Sequence, residues 1–287
     1  MSRTVALVTD STAMLPRDVV ERHGIQVVPL QVVIGARSYD EGLDPDVTAE
    51  TIAAALREWT PVSTSRPTPA RFLEAYEKAK AAGADEVLSV HLSGEMSGTF
   101  ESAQLAAREA PLPVRAVDTR QLGMATGFAV VTAAEVLARG GSAEEAAGAA
   151  LARSDGTTSL FYVDTLEYLR RGGRIGAAAA LLGSALAVKP LLEIVDGRVA
   201  TLERVRTTAR ALARLEELAV QAAGSDQVDV TVAHLASPDR AGQLQEKLGV
   251  RLADNLDGRE VGCAELGAVL GAHVGPGMLA VCVAPLL

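Results

Sequence analysis

Glu86-Val87-Leu88-Ser89-Val90-His91-Leu92 runs into Ser93-Gly94-Glu95-Met96-Ser97-Gly98, and that into Thr99-Phe100-Glu101-Ser102-Ala103-Gln104-Leu105-Ala106-Ala107-Arg108-Glu109. The first piece is a short apolar run. The second is a polar link rich in glycine and hydroxyls, and the third spaces its apolar residues as a helix does. The pattern predicts a strand over Glu86–Leu92 and a helix over Gly98–Glu109. The same alternation surrounds it, with strands expected at Val5–Thr9, Ile25–Ile34 and Val114–Val117 and helices at Leu15–Arg22, Val47–Trp59 and Pro69–Ala82. Asp46 and Thr68 suit N-caps, and Gly24 and Gly83 suit helix stops. Strands and helices in strict turn imply an α/β fold with a parallel sheet flanked by helices.

Beyond this, Gln121–Ala138 and Ala143–Arg153 read as alanine-rich helices, and Ser154-Asp155-Gly156-Thr157-Thr158 as a polar turn. That turn divides the chain into an N-terminal α/β domain, 1–157, and a smaller mixed α/β domain, 158–287. In the second part, Asp196-Gly197 between the apolar stretches of Glu193–Val205 signals a type I′ hairpin. Helices are expected at Thr208–Ala223 and Asp239–Leu248, strands at Val228–Leu235 and Leu279–Val283, and no internal repeat is present.

The 287 residues are 48% hydrophobic but only 3% aromatic, with a net charge of −9. An aliphatic core follows, and nucleic-acid binding is excluded as a function class, since it needs a basic footprint and, for single strands, stacking rings. Cys263 and Cys282 form no C-x-x-C motif, which suits a reduced, cytoplasmic setting. Val5–Val8 is cut by Thr9 and Asp10, too soon for a signal peptide. Leu266–Leu287 carries no formal charge, but Gly275-Pro276-Gly277 breaks it, so it reads as two core segments rather than a membrane insertion. Ile175–Val188, also uncharged, is too short to span and reads as a buried helix. There is no P-loop and no H-E-x-x-H, and the four histidines are scattered, so no metal site is expected.

Three hydroxyl-rich segments stand out: Thr9-Asp10-Ser11-Thr12, Ser63-Thr64-Ser65-Arg66-Pro67, and Leu92 to Thr99. Each suits a cap or a turn. Each also falls at the carboxyl end of a strand or before a helix N-terminus, where anions bind. Arg174, Arg204, Arg206 and His273 are the basic groups available to such a pocket. The double glycine in Arg171-Gly172-Gly173-Arg174 implies a tight turn that re-aims a side chain.

Together, Thr9-Asp10-Ser11-Thr12-Ala13, Pro29-Leu30, Thr64-Ser65-Arg66-Pro67, Ser97-Gly98-Thr99, Leu166-Glu167-Tyr168-Leu169-Arg170-Arg171-Gly172-Gly173-Arg174-Ile175, Lys189-Pro190, Val205-Arg206 and His273-Val274-Gly275-Pro276-Gly277 resemble the DegV family, in order and over nearly the whole chain. The resemblance implies a two-domain protein of the FakB type. Such a protein binds one long-chain fatty acid and presents it to a separate fatty-acid kinase, which makes an acyl phosphate for phospholipid synthesis. It implies no cofactor. The implied carboxylate-binding residues are Thr64 or Ser65, Ser97, Gly98 and Thr99, with Arg206 and His273 nearby. Arg174 is expected at the partner-facing edge. Arg66 stands where the family usually has Gln, Gly94 where it has Ser, and Asp118-Thr119 where it has Asp-Ser. Two rival readings are a regulatory or interaction module without lipid, and a serine hydrolase using Ser97 with His273 and Asp10 or Asp118. The string around Ser97 is not the nucleophile elbow G-x-S-x-G, which counts against the hydrolase.

Overall fold

A computed structural model describes residues 4–181 and 188–287. In chain order the first part contains β1 (Val5–Asp10), α1 (Arg17–His23), β2 (Gln26–Val28), β3 (Gln31–Ile34), β4 (Arg37–Asp40), α2 (Ala49–Arg57), β5 (Val62–Ser65), α3 (Pro69–Ala81), β6 (Glu86–His91), α4 (Thr99–Ala107), β7 (Val114–Asp118), α5 (Met124–Ala138) and α6 (Ala143–Gly156). The remainder supplies β8 (Thr158–Tyr162), α7 (Glu167–Arg171), β9 (Lys189–Val195), β10 (Arg198–Val205), α8 (Thr208–Ala223), β11 (Val228–His234), α9 (Pro238–Arg251), α10 (Ala253–Leu256), β12 (Gly262–Glu265), α11 (Ala268–Val274) and β13 (Leu279–Pro285).

The expected parallel sheet is present, in the order β2-β1-β6-β7. Its two faces are closed by separate cores. Leu88 and Val90 pack against the alanines of α5 and α6 on one side, and Val8 and Val87 against Phe72, Tyr76 and α4 on the other. Because all four strands run the same way, the loops leaving β1, β6 and β7 emerge at one edge, which is where such sheets hold ligands. The second sheet, β10-β9-β8-β13-β11-β12, is antiparallel except for the β11–β12 pair. One face is covered by α8 and α9. The other turns Phe161, Leu192, Ala233 and Ala280 toward the first part of the chain.

The segment 158–287, the shorter part of the chain, carries the six-stranded sheet. The structure corrects several expectations. Ile25–Ile34 is not one strand. It breaks at Pro29-Leu30, where the Leu30 N–H donates to Ser11 Oγ instead of to a ladder, and β3 then joins a third sheet, β4-β3-β5. Thr48, not Asp46, caps α2, in a reciprocal capping box with Thr51. Ser154-Asp155-Gly156 is the last turn of α6 rather than a loop. Ser154 Oγ and Thr157 Oγ1 donate back to the carbonyls of Ala150 and Arg153, so their polarity is absorbed by the helix. Of Ile175–Val188, Gly176–Leu181 forms a 3₁₀ helix and 182–187 lies outside the described residues. Leu266–Leu287 does resolve into two segments, α11 and β13, and no helix among the described residues is long and apolar enough to cross a membrane. Asp196 and Gly197 both take positive φ, as the hairpin signal requires.

Candidate functional site

The third sheet brings the site together. In β5, Val62 and Thr64 turn inward while Ser63 and Ser65 are exposed. Helix α11, from the far end of the chain, packs on this sheet and on α2 through Ala268, Val269 and Ala272. Val269 N–H donates to Glu41 Oε1 at 2.8 Å, and Glu41 Oε2 accepts from Ser11 Oγ at 2.5 Å. Burial holds the Glu41 carboxyl above its usual pKa range. The docked helix sets His273 Nε2 at 2.8 Å from Thr64 Oγ1, across 209 residues of sequence.

Arg174 reaches the same point by a local route. Helix α7 ends in a Schellman turn: Gly173 N–H bonds the Arg170 carbonyl, Arg174 N–H bonds the Leu169 carbonyl, and Gly173 takes φ +68°. This is the tight turn expected at the double glycine, and it swings Arg174 inward. Its Nε donates to Met96 O at 3.1 Å and its Nη1 to Gly172 O at 2.6 Å. Both acceptors are neutral carbonyls, and among the described residues Arg174 enters no ion pair. It is half-buried and faces both the internal cavity and two outward clefts, so it is not simply a surface arm at the edge.

Ser97 completes the group. Its Oγ lies 2.8 Å from Thr99 Oγ1 and 3.4 Å from the Thr99 N–H. Thr99 is fully buried behind Ser97, so it orients that hydroxyl and does not line the cavity. Gly98 caps α4, whose first N–H groups have no intrahelical acceptors. Arg66 crosses above Gly98. Thr64, Ser65, Arg66, Ser97, Gly98, Arg174 and His273 thus line one cavity of about 310 Å³. Ser65 is exposed and turns its Oγ to the Arg66 carbonyl. Arg206 is not brought in. It is exposed, one residue past the end of β10, whose other end supplies the cavity residue Val199, roughly 23 Å away at 3.3 Å per residue.

Burial, with the Arg174 charge added, pushes the His273 pKa down to about 4, so the ring is neutral near pH 7. Its Nδ1 has no hydrogen-bond partner among the described residues and lies against Gly172, where a Cβ would come within 2.1 Å. Sequence reading passed over Gly172 as part of a turn. Its role is to leave room for this ring, which only the long-range contact reveals.

Leu122, Phe161, Leu270 and Val274 are shared with a second chamber of about 90 Å³. It lies between the open face of the six-stranded sheet and the loops leaving β1 and β7, and Met14, Met124, Ile194, Met278 and Ala280 are among its walls. Polar atoms are nearly absent from its surface. The methionines were not foreseen, since a lone Met in a sequence does not show where it packs.

No hydrolase triad forms around Ser97. Asp10 bonds His91 Nδ1 at 2.9 Å instead, and Asp118 accepts from the backbone of Gly94 and Arg120. His91 Nε2 continues to Ser89 Oγ at 2.6 Å and on to Tyr76, all fully buried, so that chain braces the sheet. Of the first hydroxyl segment, Thr9 and Thr12 bond within the fold and only Ser11 acts toward the site, through Glu41. Among the described residues no group of three or more His, Cys, Asp or Glu is placed to hold a metal ion.

Comparison with known proteins places this geometry in a family. The model for the DegV family of uncharacterised proteins matches residues 4–286. A DegV domain-containing protein of Streptomyces coelicolor is 54% identical over 283 residues, covering 99% of both chains. Among solved structures, a fatty-acid-binding DegV family protein of Thermus thermophilus is 36% identical with a TM-score of 0.91, covering 99% of this chain and 100% of that one. DegV of Bacillus subtilis, a fatty acid binding protein, is 31% identical with a TM-score of 0.90 and the same coverage.

Proposed function

The chain belongs to the DegV family, and from that premise we propose that it binds one long-chain fatty acid and presents the carboxylate to a separate fatty-acid kinase. One observation carries the reading: a cavity holding two inward hydroxyls and, in Arg174, a guanidinium without an acid partner among the described residues shares four lining residues with an almost wholly apolar chamber. An amphiphile with one anionic end and a long alkyl tail matches that division. The fatty-acid-binding relatives from Thermus and Bacillus support the ligand class.

Thr64 and Ser97 are the direct carboxylate donors in this reading, with Gly98 at the α4 N-terminus. With Nε2 protonated, His273 donates to Thr64 and leaves the threonine hydrogen free for the ligand. Thr99 in the same way donates to Ser97. Arg174 supplies the balancing charge. A C16 chain offers about 15 groups worth roughly 0.8 kcal/mol each on burial, about 12 kcal/mol gross before association costs. The tail therefore supplies affinity and the head residues supply orientation.

The chemistry needs no catalytic group on this chain. A carboxylate oxygen attacks the γ-phosphorus of ATP held by the kinase, the bond to the bridging oxygen breaks, and ADP leaves. Clefts beside Gly98 and Gly172 open toward solvent at the head cavity, which supports a partner reaching in there. We further propose that 1–157 and 158–287 act as two units with the ligand between them, in the cytoplasm, where the free Cys263 and Cys282 stay reduced.

Lipid extraction and mass spectrometry of the purified protein, followed by palmitate binding after delipidation, test the ligand. Near one fatty acid per chain is expected, and absence of both a lipid and palmitate binding would overturn the proposal. Incubation with palmitate and ATP, with and without an acyl kinase, tests the role: ATP consumption by this chain alone contradicts a carrier.

A further inference from the structure

We propose that Arg66 is a movable clamp for the phosphorylated head group, parked on Glu101 while the ligand is a carboxylate and transferred to the phosphate once it forms. This rests on the fatty-acid reading above. Arg66 follows the inward-facing Thr64 and the exposed Ser65, and it lines the head cavity while remaining exposed itself, so it stands outward of the carboxylate donors. Its Nη1 donates to the Gly98 carbonyl at 3.2 Å and to Glu101 Oε2 at 2.6 Å. The guanidinium crosses directly over Gly98: a Cβ there would lie 2.0 Å from Nη1. Glycine at this position thus lets the arm lie along the cavity mouth, next to the first turn of α4.

The charges are what select the ligand. Arg174 has no carboxylate partner among the described residues, so its single positive charge matches a single carboxylate. Arg66 is already matched by Glu101. Forming the acyl phosphate replaces the carboxylate's single charge by about two on the phosphate, one more in all and lying just outside the former carboxylate position, and among the described residues Arg66 is the cavity-lining cation on that side. Its present partner is a weak competitor, because the side chains of the pair are 49% and 65% exposed, and such pairs are worth little in water. A phosphate presents a guanidinium with a bidentate, charge-assisted contact that is stronger. Exchange of Glu101 for phosphate is therefore downhill and requires only a side-chain rotation.

The test compares palmitate with hexadecyl phosphate, a non-hydrolysable probe with the same chain and a phosphate head, by calorimetry at pH 8 on delipidated protein. In R66Q the affinity for hexadecyl phosphate is expected to fall about ten-fold or more while palmitate shifts less than about three-fold. R66K retains charge without the fork and is expected in between. E101Q removes the competitor and is expected to strengthen hexadecyl phosphate binding. Equal changes for both ligands in R66Q, or none, overturn the clamp and leave the fatty-acid reading standing. Wild-type protein that binds neither ligand overturns both.

Discussion

Replacing Ser97 and Thr64 together by alanine removes the two inward hydroxyls proposed to meet the carboxylate. Each is a hydrogen bond to a charged acceptor, worth about 1.5–3 kcal/mol, so the pair is worth roughly 3–6 kcal/mol against roughly 12 kcal/mol gross from the tail. Palmitate affinity should fall about 10²–10⁴-fold, yet saturating lipid should still load the protein. Thr64→Ala also strips His273 Nε2 of its partner, 2.8 Å away in the present structure. A buried unsatisfied ring nitrogen adds a stability loss of about 1–3 kcal/mol, visible as a lower Tm in the unliganded protein. Ser65→Ala is the control, because that hydroxyl is exposed and bonds only the Arg66 carbonyl. Competition with a fluorescent fatty acid gives the affinity, and an acyl kinase assay gives transfer, which should suffer more than occupancy. A double variant with native affinity and native transfer, or a Ser65→Ala loss equal to it, would refute the assignment of these donors.

The His273 pKa of about 4 lies below the value near 6.5 of an unfolded chain. The unfolded state thus binds the extra proton between these limits, and stability should fall as pH drops from about 6.5 toward 4 and level off below. NMR titration of the ring checks this, palmitate should raise the value by placing a carboxylate nearby, and a pKa at or above 6.5 in the unliganded protein contradicts the buried neutral ring. Gly172→Ala forces its Cβ against His273 Nδ1, 2.1 Å away. Palmitate affinity should drop about ten-fold by loss of the relayed hydrogen bond, and native binding would show that the ring can move without cost. Arg206→Ala should leave palmitate affinity within about two-fold, as for an exposed charge. A ten-fold loss by calorimetry would bring Arg206 back into the site.

Much of the parallel sheet was legible because β1, β6 and β7 are apolar runs flanked by helical spacing, and both signals are local. Ser97 and Gly98 were legible for the same reason, lying on the link between a strand and a helix. The third sheet was not. β4 reads Arg37-Ser38-Tyr39-Asp40 and β5 reads Val62-Ser63-Thr64-Ser65. Such polar strands owe their existence to pairing with β3 and to α11 above, not to their own pattern. Arg174 was visible as a basic residue after a double glycine, and its inward direction follows from the Schellman turn. Arg206 was named as an available basic group and again by the resemblance, and the length of β10 carries it away from the cavity. The chamber walls were illegible because Met14, Met124 and Met278 come from three distant segments that meet only after the sheets are placed.

The two ends of the proposed ligand would meet different kinds of structure, and this bears on how the proposed carrier would be loaded and unloaded. The tail chamber is bounded by the open face of the six-stranded sheet and by loops at the edge of the parallel sheet, so closing it means bringing the two sheets together. Several polar contacts do this at the hairpin tip: Ser93 Oγ donates to the Gly197 carbonyl at 2.7 Å, Arg120 Nη2 to Asp196 Oδ1 at 3.0 Å, and Arg198 Nε to Glu95 at 2.9 Å. The last two pairs are exposed and individually weak. The proposed head-group residues are themselves fixed from behind, Thr64 by His273, Ser97 by Thr99 and α11 by Glu41. Buried contacts hold the seam elsewhere, where Arg153 bonds Asp229 and the Pro285 carbonyl, so the exposed pairs at the hairpin tip are its weaker end, which suits the carrier role proposed above. On the proposed reading the fixed donors stay with the carboxyl group, and the phosphate forming outside them is left to Arg66, the proposed movable arginine.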